Sequence, residues 1–241
     1  MKMLAIEGSS LVASVAVLDG EELLCEYSIN TKKTHSQTLL PMVTQMLACA
    51  GLELADMEAI AVAAGPGSFT GLRITASLAK GLAMSIDKPI VPVCTLEAMA
   101  IQYAGNSHLI CPIMDARRGQ VYTGLYRSRE ATGDGQSRLE ILLDESAVEL
   151  EALLDRLEAM AESVIFLGDG LPVHRRRIEE RLQEQAIFAA PIHARQRAAA
   201  LALRGQELLA AGVTTDALSF APHYLRLSQA EREKLAAAAG V

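Results

Sequence analysis

The chain has 241 residues, a hydrophobic fraction of 51% and a formal net charge of −7 at pH 7. This length can bury a large core, either as one domain or as two compact lobes. The acidic balance does not give the electrostatic footprint of a protein that binds tRNA or DNA by itself. An aromatic share of 4%, with no tryptophan, argues against a stacking platform for single-stranded nucleic acid.

No apolar run approaches the ~20 residues that are needed to cross a bilayer, and the first residues lack the pattern of a signal peptide. The protein is therefore expected to be cytoplasmic and to have no membrane partner.

Three antiparallel strands are predicted at the start of the chain. Residues 2–7 are apolar and end in Glu7, and residues 12–18 follow a turn that contains Ser9 and Ser10. Asp19-Gly20 is a hairpin signal, so residues 21–29 are expected to return as the third strand. This opening suits the actin, heat-shock ATPase and sugar-kinase (ASKHA) architecture, in which the first hairpin grips phosphate. Glu7 is either part of such a site or simply a polar strand end.

A helix is predicted from about residue 35 to residue 50, because apolar residues recur at helical spacing and Gly51 follows. Pro41 predicts either a kink or a loosely formed first turn. His35 has no ligand-type residue at i+4, so a capping or partner-facing role is favoured over a metal role.

A glycine-rich loop, Gly65 to Gly71, follows the apolar strand 59–64 and opens into a helix over residues 74–86. Ser68 or Thr70 is expected to cap that helix. A glycine loop at a helix N-terminus can bind an anion. However, a dinucleotide fingerprint would need glycine at Thr70, and a P-loop would need lysine at Leu72. The alternative is a tight strand-to-helix turn.

The helix after this loop has two unusual ridges at i+4 spacing. One ridge is small, and the neighbouring ridge is large and apolar. Short side chains allow a second helix to approach closely, so either a partner or another helix of this chain is expected there. The small ridge consists of Gly71, Thr75, Ala79 and Ala83, and the large one of Ile74, Leu78, Leu82 and Ile86.

A second lobe is predicted to begin near residue 107. Residues 108–114 and 120–127 are expected to be strands around a tight turn that starts with Asp115, which repeats the pattern of residues 2–18. We therefore expect an α/β fold with two related lobes, residues 1–106 and 107–241, each with a mixed sheet flanked by helices. A helix near residues 198–211 is expected to pack back on the first lobe. Asp115 either stabilises its own turn or contacts phosphate or metal.

Residues 128–138 are predicted to form a surface loop, and residues 149–161 a helix. The basic run of residues 174–177 is followed directly by two glutamates, which favours a solvated helix face over a nucleic-acid patch.

Three segments of the chain resemble the bacterial TsaB (YeaZ) family, which belongs to the TsaD-like, formerly glycoprotease-like, group. They are Gly65–Ile74, Asp115–Tyr122 and Pro222–Arg226. The resemblance covers nearly the whole chain. It implies a scaffold subunit that is required to make N6-threonylcarbamoyladenosine at adenosine 37 of tRNAs reading codons that begin with A. In that system TsaD transfers the threonylcarbamoyl group, and the ATPase TsaE is also required.

The resemblance also implies that this chain is not itself an enzyme. In the TsaD family the strand corresponding to residues 89–93 is followed by two metal-binding histidines four residues apart. That register falls on Thr95 and Met99 here, and neither side chain supplies a nitrogen ligand. No metal site and no cofactor are expected. The wider group was once described as metallopeptidases, and without the histidine pair this description has no basis for the present chain.

The implied partners are TsaD in a heterodimer, TsaE in a ternary complex, and a second copy when the chain is alone. Contact with tRNA is expected only through the complex. The implied pairing surface comprises His35, Leu39, Val43, Met46, Leu47, Gly71, Ile74, Thr75, Leu78, Ala79, Leu82 and Ala83.

A competing hypothesis is a small ATPase or kinase of the ASKHA type with its own nucleotide site. Under the scaffold hypothesis, the same residues form a vestigial site. They are Glu7, Ser9, Ser10, Gly65, Gly67 and Asp115.

Overall fold

The computed structural model of the chain describes residues 1–129 and 138–226. Most of the surface loop predicted at residues 128–138, and every residue after 226, therefore lie outside the described residues. Within the described ranges the strands form two five-stranded mixed sheets.

The first sheet has the strand order β3-β2-β1-β4-β5, in which β1 pairs antiparallel with β2 and parallel with β4. Its elements are β1 (Lys2–Glu7), β2 (Val12–Asp19), β3 (Glu22–Asn30), α1 (His35–Ala50), β4 (Ala59–Gly65), α2 (Phe69–Ile86) and β5 (Ile90–Cys94). The predicted elements of this half are confirmed, and α1 continues through Pro41.

The second sheet repeats the connectivity of the first, with the order β10-β9-β6-β7-β8. A short helix, α3 (Thr95–Ala100), leads into it, and α6 (Ala198–Ala210) follows it. Its elements are β6 (Leu109–Asp115), β7 (Gln120–Ser128), β8 (Leu139–Glu149), α4 (Leu150–Met160), β9 (Val164–Leu167), α5 (Leu171–Leu182) and β10 (Ala186–Phe188). The sequence pattern indicated neither β8 nor β10. β8 has an irregular register with β7, and β10 has three residues.

Successive residues of β1 enter two different cores, because side chains alternate across a strand. Leu4 and Ile6 belong to the core under α1 and α2. Met3 and Ala5 face the opposite way and pack with α6. The first sheet is therefore covered on both faces.

Helix α6 follows the second sheet in sequence but packs on the first. Its first amides are held by side chains from β2 and β3, since Ala198 donates to Ser14 Oγ at 3.1 Å and Ala199 to Glu26 Oε1 at 3.0 Å. Gly205 lets α6 approach the sheet closely, because a Cβ there would lie 2.9 Å from Met3 Sδ. Helix α3 in turn contributes buried residues to the core of the second sheet.

The small ridge of α2 faces inward, which corrects the predicted pairing surface. A Cβ at Gly71 would collide with the carbonyl oxygen of Gly8, and Thr75 is fully buried beside the same turn. The short side chains therefore allow α2 to approach its own sheet, and a partner cannot reach them. The residues removed from the predicted surface on this ground are Leu39, Val43, Met46, Leu47, Gly71, Thr75, Ala79 and Ala83, all of which are buried.

The other predicted residues of that surface are half-buried, namely His35, Ile74, Leu78 and Leu82. The ring of His35 lies against Gly8, and its Nε2 atom is buried without a hydrogen-bond partner among the described residues.

Candidate functional site

A cleft of about 600 Å³ lies between the two sheets, at the end where β1, β4, β6 and β9 finish. Ligands of α/β sheets bind beyond the carboxyl ends of the strands, so this is the place where the fold can hold one. The lining combines the β1–β2 turn, the glycine loop, the β6–β7 turn and a C-terminal segment. The lining residues are Ser9, Ser10, Leu11, Pro66 to Thr70, Leu72, Met114 to Arg117, Tyr122, Asp169 and His223 to Arg226.

The glycine loop is built for close packing against the β1–β2 turn. The amide of Ser68 donates to the carbonyl oxygen of Ser9 at 2.7 Å, and a Cβ at Gly67 would collide with that same carbonyl. Ser68 caps α2 as predicted, because its Oγ accepts from the amide of Gly71 at 3.3 Å. The glycines are therefore required by contacts within the chain.

Glu7 lies beneath the cleft and is 1% exposed. Its Oε1 atom accepts from the amide of Ser9 at 2.6 Å, while Oε2 has no hydrogen-bond partner among the described residues. Burial raises the pKa of this carboxyl to about 7, and the negative charge of Asp169 adds to the shift. A large fraction of Glu7 is consequently protonated at neutral pH.

The second lobe adds two carboxyl groups that line the cleft. Asp115 is exposed at the end of β6, where its Oδ1 accepts from the amide of Arg117 at 2.8 Å. Asp169 follows β9, and burial raises its pKa to about 6 although the charge of Arg195 acts in the opposite direction. These carboxyl groups disfavour a polyphosphate on the cleft floor when no divalent cation accompanies it.

The residues predicted for a vestigial nucleotide site are brought together only in part. Ser9, Ser10, Gly67 and Asp115 line the cleft, whereas Glu7 lies below it. Gly65 is covered by the carbonyl oxygen of His223, with which a Cβ at Gly65 would collide. The hydroxyl of Ser10 donates to Gln196 Oε1 at 3.0 Å.

Sequence reasoning missed the segment that crosses the cleft mouth, residues 216–226, here called the strap. The amide of His223 donates to the carbonyl oxygen of Ala64 at 2.7 Å, and the His223 ring lies 3.0 Å from Glu145 Oε1 of β8. Arg226 donates to the carbonyl oxygen of Ala116 at 2.5 Å. The strap thus contacts both lobes. Its residues resembled a family motif, but nothing in their pattern indicated a place at the cleft.

The Tyr224 ring of the strap stacks on Phe69 with a centroid distance of 4.8 Å. Arg73 of α2 lies over the Phe69 ring and donates to the Tyr224 hydroxyl at 3.3 Å. This contact joins the strap to the start of α2 and so to the glycine loop.

The two positions at which the resemblance predicts the TsaD histidine pair belong to the core. Thr95 and Met99 are both fully buried. Within residues 1–129 and 138–226, no cluster of three or more His, Cys, Asp or Glu side chains is arranged to hold a metal ion. Over the same ranges, no helix is long and apolar enough to span a membrane.

A family model described as TsaD, tRNA N6-adenosine threonylcarbamoyltransferase, matches residues 22–234. A Bacillus subtilis protein, the tRNA threonylcarbamoyladenosine biosynthesis protein TsaB, is 37% identical over 231 residues, which are 96% of both chains. The chain belongs to the TsaB family. Escherichia coli TsaB is 31% identical over 70% of this chain and 72% of its own length.

Solved structures of the family share this two-lobed form. YeaZ from Pseudomonas aeruginosa superposes with a TM-score of 0.75 at 26% identity, covering 93% of this chain and 99% of its own. A second P. aeruginosa structure, of a protein similar to peptidase YeaZ, gives a TM-score of 0.77 at 27% identity over the same shares. The repeated connectivity of the two sheets is that of the ASKHA fold, as predicted.

Proposed function

We propose that this TsaB-family chain is a non-catalytic subunit needed for the synthesis of N6-threonylcarbamoyladenosine in tRNA, and that it acts by pairing with a TsaD-family transferase. The observation that carries the proposal is the end-to-end identity of 37% with B. subtilis TsaB. The match extends over 96% of both chains, so both lobes take part in the resemblance.

The chemistry of the cleft supports a non-catalytic role. A general base needs a pKa near the working pH and a route to its substrate. Glu7 has a suitable pKa but is 1% exposed and lies below the cleft, while Asp115 is exposed but holds its own turn together. At the register of the TsaD histidine pair stand Thr95 and Met99, which provide no nitrogen ligand.

Besides His35, the pairing surface that remains after the correction is a strip on α2 formed by Ile74, Leu78 and Leu82, all half-buried. At 100° per residue these side chains lie on the side of α2 away from Arg73 and Lys80, which bind the strap. Leu40 of α1 adds an apolar side chain that is 50% exposed. Apolar residues left open on adjacent helices favour a protein partner over solvent.

Gly81 gives a second reason to place the partner on α2. Glycine inside a helix costs roughly 0.8–1 kcal/mol relative to alanine. A Cβ at Gly81 would meet no atom within 4 Å, and the residue is exposed, so no contact within the described part of the chain requires glycine there. Close approach of a partner's backbone provides the missing reason.

The assembly follows the family. We propose a heterodimer with the TsaD-family subunit, a ternary complex once a TsaE-type ATPase joins, and a homodimer when the chain is alone. The competing function is an ATPase or kinase that uses the 600 Å³ cleft, and it would need Mg²⁺ between the phosphates and the carboxylates of Asp115 and Asp169. Calorimetric titration with ATP and Mg²⁺ separates the two, because micromolar binding with hydrolysis by the isolated chain would contradict the scaffold role.

The pairing surface is tested with Leu78→Arg and Leu82→Arg. Both positions are half-buried, so the arginine head can reach water and the fold should survive. The affinity for the TsaD-family partner, measured by calorimetry, should fall at least a hundredfold. Val173→Arg on α5 is the matched control, since it places the same charge on another helix at a residue that is 64% exposed. Unchanged affinity in both α2 variants, with circular dichroism showing an intact fold, would place the interface elsewhere.

A further inference from the structure

The β6–β7 turn carries two arginines in a backbone conformation that does not suit them. Arg117 and Arg118 have φ values of 64° and 56°, and Gly119 follows at 76°. Residues with a side chain pay free energy in the left-handed region, and only Gly, Asn and Asp enter it readily. Hairpin turns with two successive left-handed residues are usually Asn-Gly. The shape of the turn therefore does not explain the two arginines.

Neither guanidinium is used inside the described part of the chain. Arg117 and Arg118 make no hydrogen bond or ion pair through their side chains with residues 1–129 or 138–226. Of the other arginines in these ranges, only Arg195, near Asp169, shares this state. The rest contact carboxylates, carbonyl oxygens or a tyrosine hydroxyl, as the basic run on α5 does: Arg175 and Arg176 pair with Glu179 and Glu180.

A third cation stands beside the two. Arg226 of the strap contacts Ala116, the residue before Arg117, and both Arg117 and Arg226 line the mouth of the cleft. Together Arg117, Arg118 and Arg226 form a positive lip on a chain whose net charge is −7. A local patch of this kind is what an acidic protein needs in order to approach a polyanion.

The carboxylates around the lip decide where an anion can lie. Asp115 and Asp169 line the cleft, and the exposed Glu149 lies beside the turn, where its Oε1 accepts from Gln120 at 2.8 Å. The charges of Asp115 and Asp169 disfavour a polyphosphate in the cleft when no divalent cation accompanies it. An anion that stays outside, along the exposed side chains of Arg117 and Arg118, avoids the half-buried Asp169 and meets the guanidinium groups of the turn.

We propose that Arg117 and Arg118, with Arg226 beside them, bind the phosphodiester backbone of tRNA at the lip of the cleft. The proposal rests on the proposed function, since the tRNA is brought there by the complex with the TsaD-family subunit. A guanidinium presents a planar set of donors that matches phosphate oxygens, and an RNA strand offers its phosphates in succession along an exposed path. Because no base is contacted, these arginines contribute affinity without reading sequence.

The test uses the double variant Arg117→Asn with Arg118→Gly, in the complex with the TsaD-family subunit. Binding of unmodified tRNA is followed by fluorescence anisotropy over a series of salt concentrations. Affinity should fall roughly tenfold near 0.1 M salt, and the plot of log affinity against log salt should become shallower by about 1.4–1.8, at ~0.7–0.9 per lost phosphate contact. The control, Arg175→Gln with Arg176→Gln, removes the same charge from α5 and should leave both values unchanged.

Two further measurements separate the possible outcomes. Pairing with the TsaD-family subunit, measured by size-exclusion chromatography, should be the same for the variant and the unmodified chain. A failure of the unmodified chain to pair would refute the proposed function and not the lip. The thermal midpoint of the variant should rise because Asn-Gly suits the turn, whereas a structural role for the arginines would lower it. An unchanged salt slope with intact pairing would overturn the proposal.

Discussion

Replacing Glu7 with glutamine should change how the stability of the protein depends on pH. Glu7 is 1% exposed, and burial raises its pKa from an ordinary 4.5 to about 7. The folded chain therefore holds a proton that the unfolded chain releases. This stabilisation is fully present below pH 4.5 and is lost as the pH rises through 7.

The size of the effect follows from the two pKa values. A difference between 4.5 and about 7 corresponds to about 3 kcal/mol in the free energy of unfolding, at 1.36 kcal/mol per pKa unit. About 2.5 kcal/mol of this is lost between pH 5 and pH 8. Glutamine keeps the oxygen that accepts from the Ser9 amide and has no proton to lose, so Glu7→Gln should not show this loss.

Thermal unfolding at pH 5, 6, 7 and 8 tests the reasoning. Relative to the unmodified chain, Glu7→Gln should gain roughly 5–10 °C in midpoint on going from pH 5 to pH 8, at ~2–4 °C per kcal/mol for a chain of this size. Asp169, whose pKa is raised to about 6, titrates in both proteins and largely cancels in the difference. If the thermal midpoints of the two proteins change in parallel from pH 5 to pH 8, Glu7 is ionised throughout this range and burial does not control its pKa.

Three further substitutions test the packing around α2. Thr75→Arg should abolish folding, because the site is fully buried and an unpaired charge there is costly; a normal circular dichroism spectrum would contradict this burial. Gly71→Ala should destabilise by about 1–3 kcal/mol in denaturant unfolding, since its Cβ would collide with the carbonyl oxygen of Gly8. Gly81→Ala, the matched change at an open site, should stabilise the isolated chain by about 0.8–1 kcal/mol while weakening pairing. If pairing is unaffected, Gly81 is not at the interface.

The elements of the first sheet were predictable because each has a clear local signal. Alternating or continuous apolar runs mark β1, β2 and β4, and the Asp19-Gly20 turn fixes the first hairpin. β8 escaped prediction because its irregular pairing with β7 leaves no regular alternation along its eleven residues. The repeat of the strand–acid–turn–strand pattern was enough to predict two related lobes.

The candidate site was predictable only where it coincides with turns. The strands β1, β4 and β6 all end at the cleft. The residues at or just after these ends that line it are Ser9, Ser10, Gly67 and Asp115. Which face of a helix points to the core depends on the folded chain and not on the helix alone. The sequence therefore predicts a partner at the small ridge of α2, whereas this ridge packs on its own sheet. Contacts far apart in sequence, such as that between Glu145 and His223, leave no local trace.

Helix α6 follows the second sheet in sequence but covers the first, and this has a consequence for synthesis on the ribosome. The face of the first sheet that carries Met3, Ala5 and Ala16 is complete by residue 94, yet its cover, α6, is translated only at residues 198–210. During that interval an apolar surface of the nascent chain stays open to water or to chaperones. A fragment that stops before α6 should accordingly aggregate, and the first half of the protein reaches its final form only after the second has been made.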